Sequence, residues 1–163
     1  MARILVPFDG GPSGEEALHA ACRMARDNDD EVQVVYVVRI SHHLPIWADL
    51  SAHDDHVAEV FARAEAIAER HNIPLTAVHV TARYVGWGIV AAAEGCDLVL
   101  FGRRRRRRLH KRLLPDATLR HVAARVPCQV LLLPVGAGAT APAARPAPPR
   151  PVLLEPRRQE RRA

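Results

Sequence analysis

The stretch RILVPFDGGPSGEEALHAACRMAR, residues 3–26, contains an apolar run, a turn and a helical pattern in that order. The apolar run at its start has the length of a buried strand. DGGP (9–12) follows at once and is typical of a tight turn. Ser13 and Glu16 then fit a capping box, in which the hydroxyl accepts from first-turn amides and the carboxylate reaches back. The stretch therefore predicts a strand, a turn and a helix at the start of an α/β domain.

The same alternation continues along the chain. Most of the predicted strands are continuous apolar runs, as expected for a parallel sheet that is covered on both faces. Right-handed crossovers between them give a single doubly wound α/β domain. We expect an aspartate, Asp54 or Asp55, to cap the second helix, Gly95 to end the third, and Trp87 to pack at the start of the third. The predicted strands cover 3–8, 32–38, 74–82, 97–102 and 129–135.

The composition changes near residue 136. The chain of 163 residues suits one folded domain, which we place at 1–135. Residues 136–163 are rich in Ala, Pro and Arg and have no apolar period, so we expect a disordered tail.

Three cysteines without a CxxC pair argue against a disulfide framework and favour a reducing, cytoplasmic setting. The first strand begins at Arg3, which leaves no space for a signal peptide in this sequence. No apolar run approaches the roughly 20 residues that a membrane span needs. We therefore expect a cytoplasmic protein with no membrane association.

Positive charge is concentrated in one place. Residues 1–102 are net acidic, whereas 103–108 are six consecutive arginines. Like-charge runs are typically solvated loops, but guanidinium groups also bind phosphate in pairs of hydrogen bonds, and they bind nucleic-acid backbones. The run contains no aromatic residue on which a base would stack. All three interpretations stay open.

Three segments together carry a family resemblance: ILVPFDGGPSGEEAL (4–18), DLVLFG (97–102) and HVAARVPCQVLLLP (121–134). They resemble the universal stress protein family over about residues 3–135. The resemblance implies a five-stranded parallel sheet in the order 3-2-1-4-5, of the adenine nucleotide alpha hydrolase-like type. It also implies a homodimer through the edge strand QVLLLPV (129–135).

ATP-binding members of that family carry a Gly-x2-Gly-x9-Gly-[Ser/Thr] signature after the fourth strand. Its glycines let backbone amides approach phosphate closely. Here the four positions are Gly102, Arg105, Pro115 and Asp116. Proline has no amide to donate, and an aspartate repels a phosphate. The resemblance therefore implies a degenerate phosphate loop.

The base and ribose half of the site matches the family better. The resemblance assigns the adenine and ribose contacts to four positions and the phosphate end to two more. The six candidate site residues are Pro7, Asp9, Val37, Gly102, Arg105 and Thr118.

Three functions follow as hypotheses. The first is a non-enzymatic, dimeric stress-response or regulatory protein without a firm cofactor. The second is a protein that binds ATP or AMP, with the arginines of 103–108 in place of the glycine loop. The third is a nucleic-acid-associated protein that uses those arginines. No catalytic constellation is visible. His53 and His56 have metal-ligand spacing but no evident third ligand, so we expect neither catalysis nor a metal site.

Overall fold

A computed structural model describes residues 1–43, 53–104 and 117–135. Within these ranges strands and helices alternate from the first strand to the last. The tail from 136 onward, including the predicted domain boundary, lies outside the described residues. The elements are β1 (Arg3–Pro7), α1 (Pro12–Asn28), β2 (Glu31–Arg39), α2 (Asp54–His71), β3 (Leu75–Ala82), α3 (Val85–Ala92), β4 (Leu98–Arg104), α4 (Ala117–Ala123) and β5 (Gln129–Val135).

The five strands form one sheet in the order β3-β2-β1-β4-β5. Every neighbouring pair is parallel, and the central strand β1 pairs with β2 through Val6 and Val34 and with β4 through Leu5 and Val99. The predicted α/β class and strand order are confirmed. After β1 the chain adds β2 and then β3 on one side of it, and afterwards β4 and then β5 on the other side. The direction of strand addition therefore reverses between β1 and β4. Ligands of open α/β sheets bind at such a reversal, beyond the carboxyl ends of the strands.

Alternation along β1 builds a separate core on each face of the sheet. Ile4 and Val6 point into a cluster with α1 and α2, and Leu5 points into another with α3 and α4. All three side chains are buried. This explains why β1 reads as an unbroken apolar run, because both of its faces exclude water. No helix within the described ranges has the length and apolar composition needed to cross a bilayer.

The predicted helix caps are wrong. Helix α1 begins at Pro12 with Gly11 as its N-cap, and no side chain caps it, so Ser13 and Glu16 form no capping box. Proline suits the first helical position because its ring sets a helical φ and its missing amide costs no hydrogen bond there. Helix α2 begins at Asp54, after an N-cap at His53 that makes no side-chain bond. Its first-turn carboxylates instead interact favourably with the helix dipole.

The predicted C-cap of α3 and the predicted end of β4 also need correction. Helix α3 begins at Val85, and its C-cap is Ala93, not the predicted Gly95. Trp87 lies in the first turn of α3, as predicted, where it stacks on His121 and stays 62% exposed. Strand β4 continues past Gly102 into the arginine run, because it stays paired with β5, which runs to Val135. The first two arginines of the run are therefore strand residues, whereas the other four lie outside the described residues.

A histidine pair joins α1 to α2. His19 Nδ1 and His71 Nε2 are 2.8 Å apart, and their rings meet edge to face. Burial lowers the pKa of His71, and the positive charges of His19, Arg23 and Arg26 lower it further. The pair needs one neutral ring nitrogen to accept the hydrogen bond, so protonation of both rings breaks it.

This arrangement makes the stability of the fold pH-dependent. The unfolded chain takes up the His71 proton at the ordinary pKa of 6.5, above the pKa in the folded state. The contribution of His71 to the free energy of unfolding is therefore full above pH 6.5. It is lost as the pH falls from there towards the lower pKa of the folded state. We expect the melting temperature of His71→Gln to change less between pH 7.5 and 5.5 than that of the unsubstituted protein.

Differential scanning fluorimetry across that pH range measures the effect. The exposed His53→Gln variant is the matched control and should keep the full pH dependence. If His71→Gln and His53→Gln show the same slope, the histidine pair is not the source.

Candidate functional site

A cavity of about 410 Å³ lies where the strand order reverses. It is bounded by the ends of β1, β2 and β4, by the first turn of α1, and by residues of α3, α4 and β5. Its volume falls within the range of about 300–1,000 Å³ that small-molecule sites occupy. The fold thus places this cavity where α/β proteins bind ligands.

The structure brings five of the six candidate residues to this one cavity. They come from four separate segments of the chain, so only the fold assembles them. Arg105 lies outside the described residues. The five are Pro7, Asp9, Val37, Gly102 and Thr118.

Asp9 holds the turn between β1 and α1. Its Oδ1 accepts a hydrogen bond of 2.9 Å from the Gly11 amide. Gly10 has a φ of +74°, in the left-handed region that favours glycine. The Asp9 side chain is otherwise exposed at the cavity rim. A carboxylate has lone pairs for several hydrogen bonds, so Asp9 can hold the turn and still accept from a ligand hydroxyl.

Gly102 has a packing role that the sequence did not reveal. A Cβ at Gly102 would overlap the Ser13 carbonyl oxygen, lie 2.6 Å from the Ser13 carbonyl carbon and approach Ala17 at 3.3 Å. The backbone of β4 therefore touches the first turn of α1. Gly14, in the first turn of α1, makes a second close approach, because a Cβ there would lie 3.1 Å from Cδ2 of Phe8, which follows β1. These two glycines allow the helix start to form one wall of the cavity.

The remaining lining was missed by sequence reasoning. Ile89 and Leu119 are buried apolar side chains from the two helices behind the sheet. Tyr36, Phe101 and Leu132 also line the cavity and are partly buried. Tyr36 and Phe101 are direct sequence neighbours of candidate residues, and that adjacency is the signal that could have found them. The result is a largely apolar slot whose lining also includes Ser13 and Thr118.

A second cavity of about 460 Å³ adjoins the first and shares Val85 and Thr118 with it. Trp87 forms one wall and stacks on His121, with ring centroids 5.7 Å apart. Burial lowers the pKa of His121, and Arg125 contributes to the shift. Tyr84 is also exposed there, edge to face with His42.

The chemistry of the first cavity suits binding of a flat, partly polar molecule. A heterocycle can fill an apolar slot, and its hydroxyl groups can bond to the Asp9 carboxylate at the rim. Among the described residues that line it, Asp9 is the one acidic group. No cluster of three or more metal-ligating side chains occurs in the described part of the chain.

Comparison with known proteins agrees with this architecture. The model of the Universal stress protein family matches residues 1–46. A universal stress family protein from Burkholderia pseudomallei is 25% identical, with a TM-score of 0.62 over 82% of this chain and 96% of that one. A universal stress protein from Archaeoglobus fulgidus, solved in complex with dAMP, is 15% identical, with a TM-score of 0.62 over 81% and 97%. No curated protein sequence matches the chain.

A universal stress family protein from Arabidopsis thaliana, solved with AMP bound, has the same fold at 12% identity. Its TM-score is 0.57 over 85% of this chain and 94% of that one. At this identity the likeness concerns the fold, whereas the match over 1–46 concerns the sequence from β1 through α1 and β2. By its opening sequence and by its fold, the protein resembles the universal stress protein family.

Proposed function

We propose that the protein is a universal-stress-type regulatory protein that binds an adenine nucleotide through its base and ribose. The observation that carries this proposal is the convergence of Pro7, Asp9, Val37, Gly102 and Thr118 on one cavity at the reversal of the strand order. Two solved proteins of the same fold hold AMP and dAMP, which supports an adenine nucleotide as the ligand class.

The slot provides the binding energy through its apolar walls. Val37 and Ile89 offer aliphatic surface to the faces of a base. Asp9 stands at the rim, where a ribose would meet it, and its exposed carboxylate accepts hydrogen bonds from hydroxyls. Bonds to a charged acceptor are the stronger kind, so we assign the ribose contact to Asp9.

The phosphate end is the weak part of the site. Arg105, Pro115 and Asp116 stand where the family's ATP-binding members have glycine, glycine and a hydroxyl residue. Few backbone amides are then left for the second and third phosphates. We therefore propose that the protein binds AMP about as well as ATP.

We propose binding rather than catalysis as the activity. The described lining offers one carboxylate and no histidine or lysine near it, a poor set for proton transfer. The three unpaired cysteines support a cytoplasmic setting. Strand β5 lies at one edge of the sheet and pairs with β4 alone among the described strands. We therefore propose that two copies of the chain form a homodimer through β5. Unpaired strand edges favour pairing with another chain.

Nuclear magnetic resonance locates the ligand directly. In ¹H–¹⁵N spectra of the full chain, we expect saturable AMP-dependent shifts for the amides of Asp9, Gly14, Val37 and Gly102. The amide of Ala68, buried on α2 away from the cavity, is the internal control and should stay in place. Saturable shifts confined to α2, with none around the cavity, would contradict the proposed site.

A further inference from the structure

The second cavity combines features that the proposed adenine site does not use. Trp87 and Tyr84 are 62% and 56% exposed, although large aromatic side chains are usually buried. The indole of Trp87 stacks on the His121 ring at an interplanar angle of 21°. An exposed ring that is held in this way can receive the face of another planar ring.

Two guanidinium groups lie in the same cavity. Arg39, at the end of β2, is exposed and makes no ion pair with any residue that the structure describes. Arg83 donates a 3.1 Å hydrogen bond to the Ser41 carbonyl, which orients it. None of the described residues that line this cavity is acidic. The described lining therefore combines two arginine side chains, which suit an anion, with aromatic surface, which suits a planar ring.

The two cavities are neighbours that share Val85 and Thr118 in their linings. A ligand that is bound in the first cavity and extends past Thr118 therefore reaches the second cavity beside Trp87. Such a ligand needs a planar group at each end and negative charge between or beside them. A dinucleotide whose two bases are joined through phosphates has this composition.

We propose that the protein binds a dinucleotide, with one adenosine in the first cavity and the second base on Trp87, and with the bridging phosphates facing Arg39 and Arg83. This inference rests on the proposed adenine-nucleotide function and names its ligand class. The second base, rather than a phosphate chain alone, brings the ligand into the second cavity.

Isothermal titration of the full chain with AMP, ATP and diadenosine tetraphosphate tests the inference. We expect diadenosine tetraphosphate to bind about tenfold or more tightly than AMP or ATP, a gain of the size that one stacked base contributes. Trp87→Ala should remove this gain and leave the AMP affinity unchanged. Arg39→Gln should weaken the dinucleotide about threefold to tenfold, in line with one charged contact.

Matched variants separate the site from general effects. Arg70→Gln removes an exposed arginine from α2, which packs on the α1 face of the sheet, and should leave all three affinities unchanged. Circular dichroism and melting temperature check that Trp87→Ala folds, as expected for a side chain that is mostly exposed.

The outcomes separate the two proposals. If AMP binds and the dinucleotide binds no better than ATP, or if Trp87→Ala keeps the full dinucleotide gain, the inference is wrong and the proposed function stands. If none of the three ligands binds, both are wrong. Loss of AMP binding in Trp87→Ala would also contradict the inference, because Trp87 would then belong to the first cavity.

Discussion

Gly102→Ala is expected to lower the free energy of unfolding by about 3 kcal/mol, the upper end of the usual cost of overpacking. The added methyl group would overlap the Ser13 carbonyl oxygen and meet Ala17 at 3.3 Å. The obstacle is backbone at the start of a 17-residue helix, which cannot rotate away as a side chain can. Urea unfolding followed by circular dichroism measures the change, and the melting temperature should fall by roughly 10 °C.

Gly86→Ala is the matched control for this substitution. A Cβ at Gly86 would lie 3.0 Å from His121 Cδ2, and an imidazole ring can move aside. Alanine also has the higher helix propensity, by about 1 kcal/mol, so we expect a change of less than about 1 kcal/mol in either direction. Equal stability of Gly102→Ala and the unsubstituted protein would show that β4 does not press on α1 as the structure has it.

Asp9→Asn is expected to weaken AMP binding about tenfold or more, because a charge-assisted hydrogen bond to the ribose becomes a neutral one. The substitution separates two roles of this side chain. The amide oxygen of asparagine can still accept from the Gly11 amide, so the turn should persist and the melting temperature should stay within about 2 °C. Isothermal titration measures the affinity.

Asp27→Asn serves as the control for loss of one negative charge. Asp27 is exposed at the far end of α1 and faces Arg26 at 3.8 Å, so its replacement should not change AMP affinity. If Asp9→Asn keeps the original affinity together with the original stability, Asp9 only holds the turn.

The element order was predictable because the physics behind it is local. A strand buried on both faces must be apolar at every position, and Ile4, Leu5 and Val6 show this directly, since they are buried on alternating sides. The strand order came from the family resemblance, because apolar runs alone do not say which strand lies beside which. The convergence of candidate residues on one cavity also depends on that order.

Other features could not be read from the chain because they depend on contacts between distant segments. Pro12 occupies the first helical position, and this left Gly11 rather than Ser13 as the cap. The packing role of Gly102 depends on a helix that lies about ninety residues earlier in the sequence. Trp87 has His121 as its stacking partner, and nothing in the spacing of these two residues indicates that they meet.

Calorimetric titration of the full chain with AMP and with ATP is the most direct test of the adenine-nucleotide site. AMP has roughly 23 non-hydrogen atoms, and at about −0.3 kcal/mol for each the affinity reaches about −7 kcal/mol, or a Kd near 10 μM. We predict a Kd for AMP between about 10 and 100 μM and a Kd for ATP within about threefold of it. No saturable binding of AMP up to about 1 mM would contradict the site, and ATP binding more than about tenfold tighter than AMP would contradict the degenerate phosphate loop.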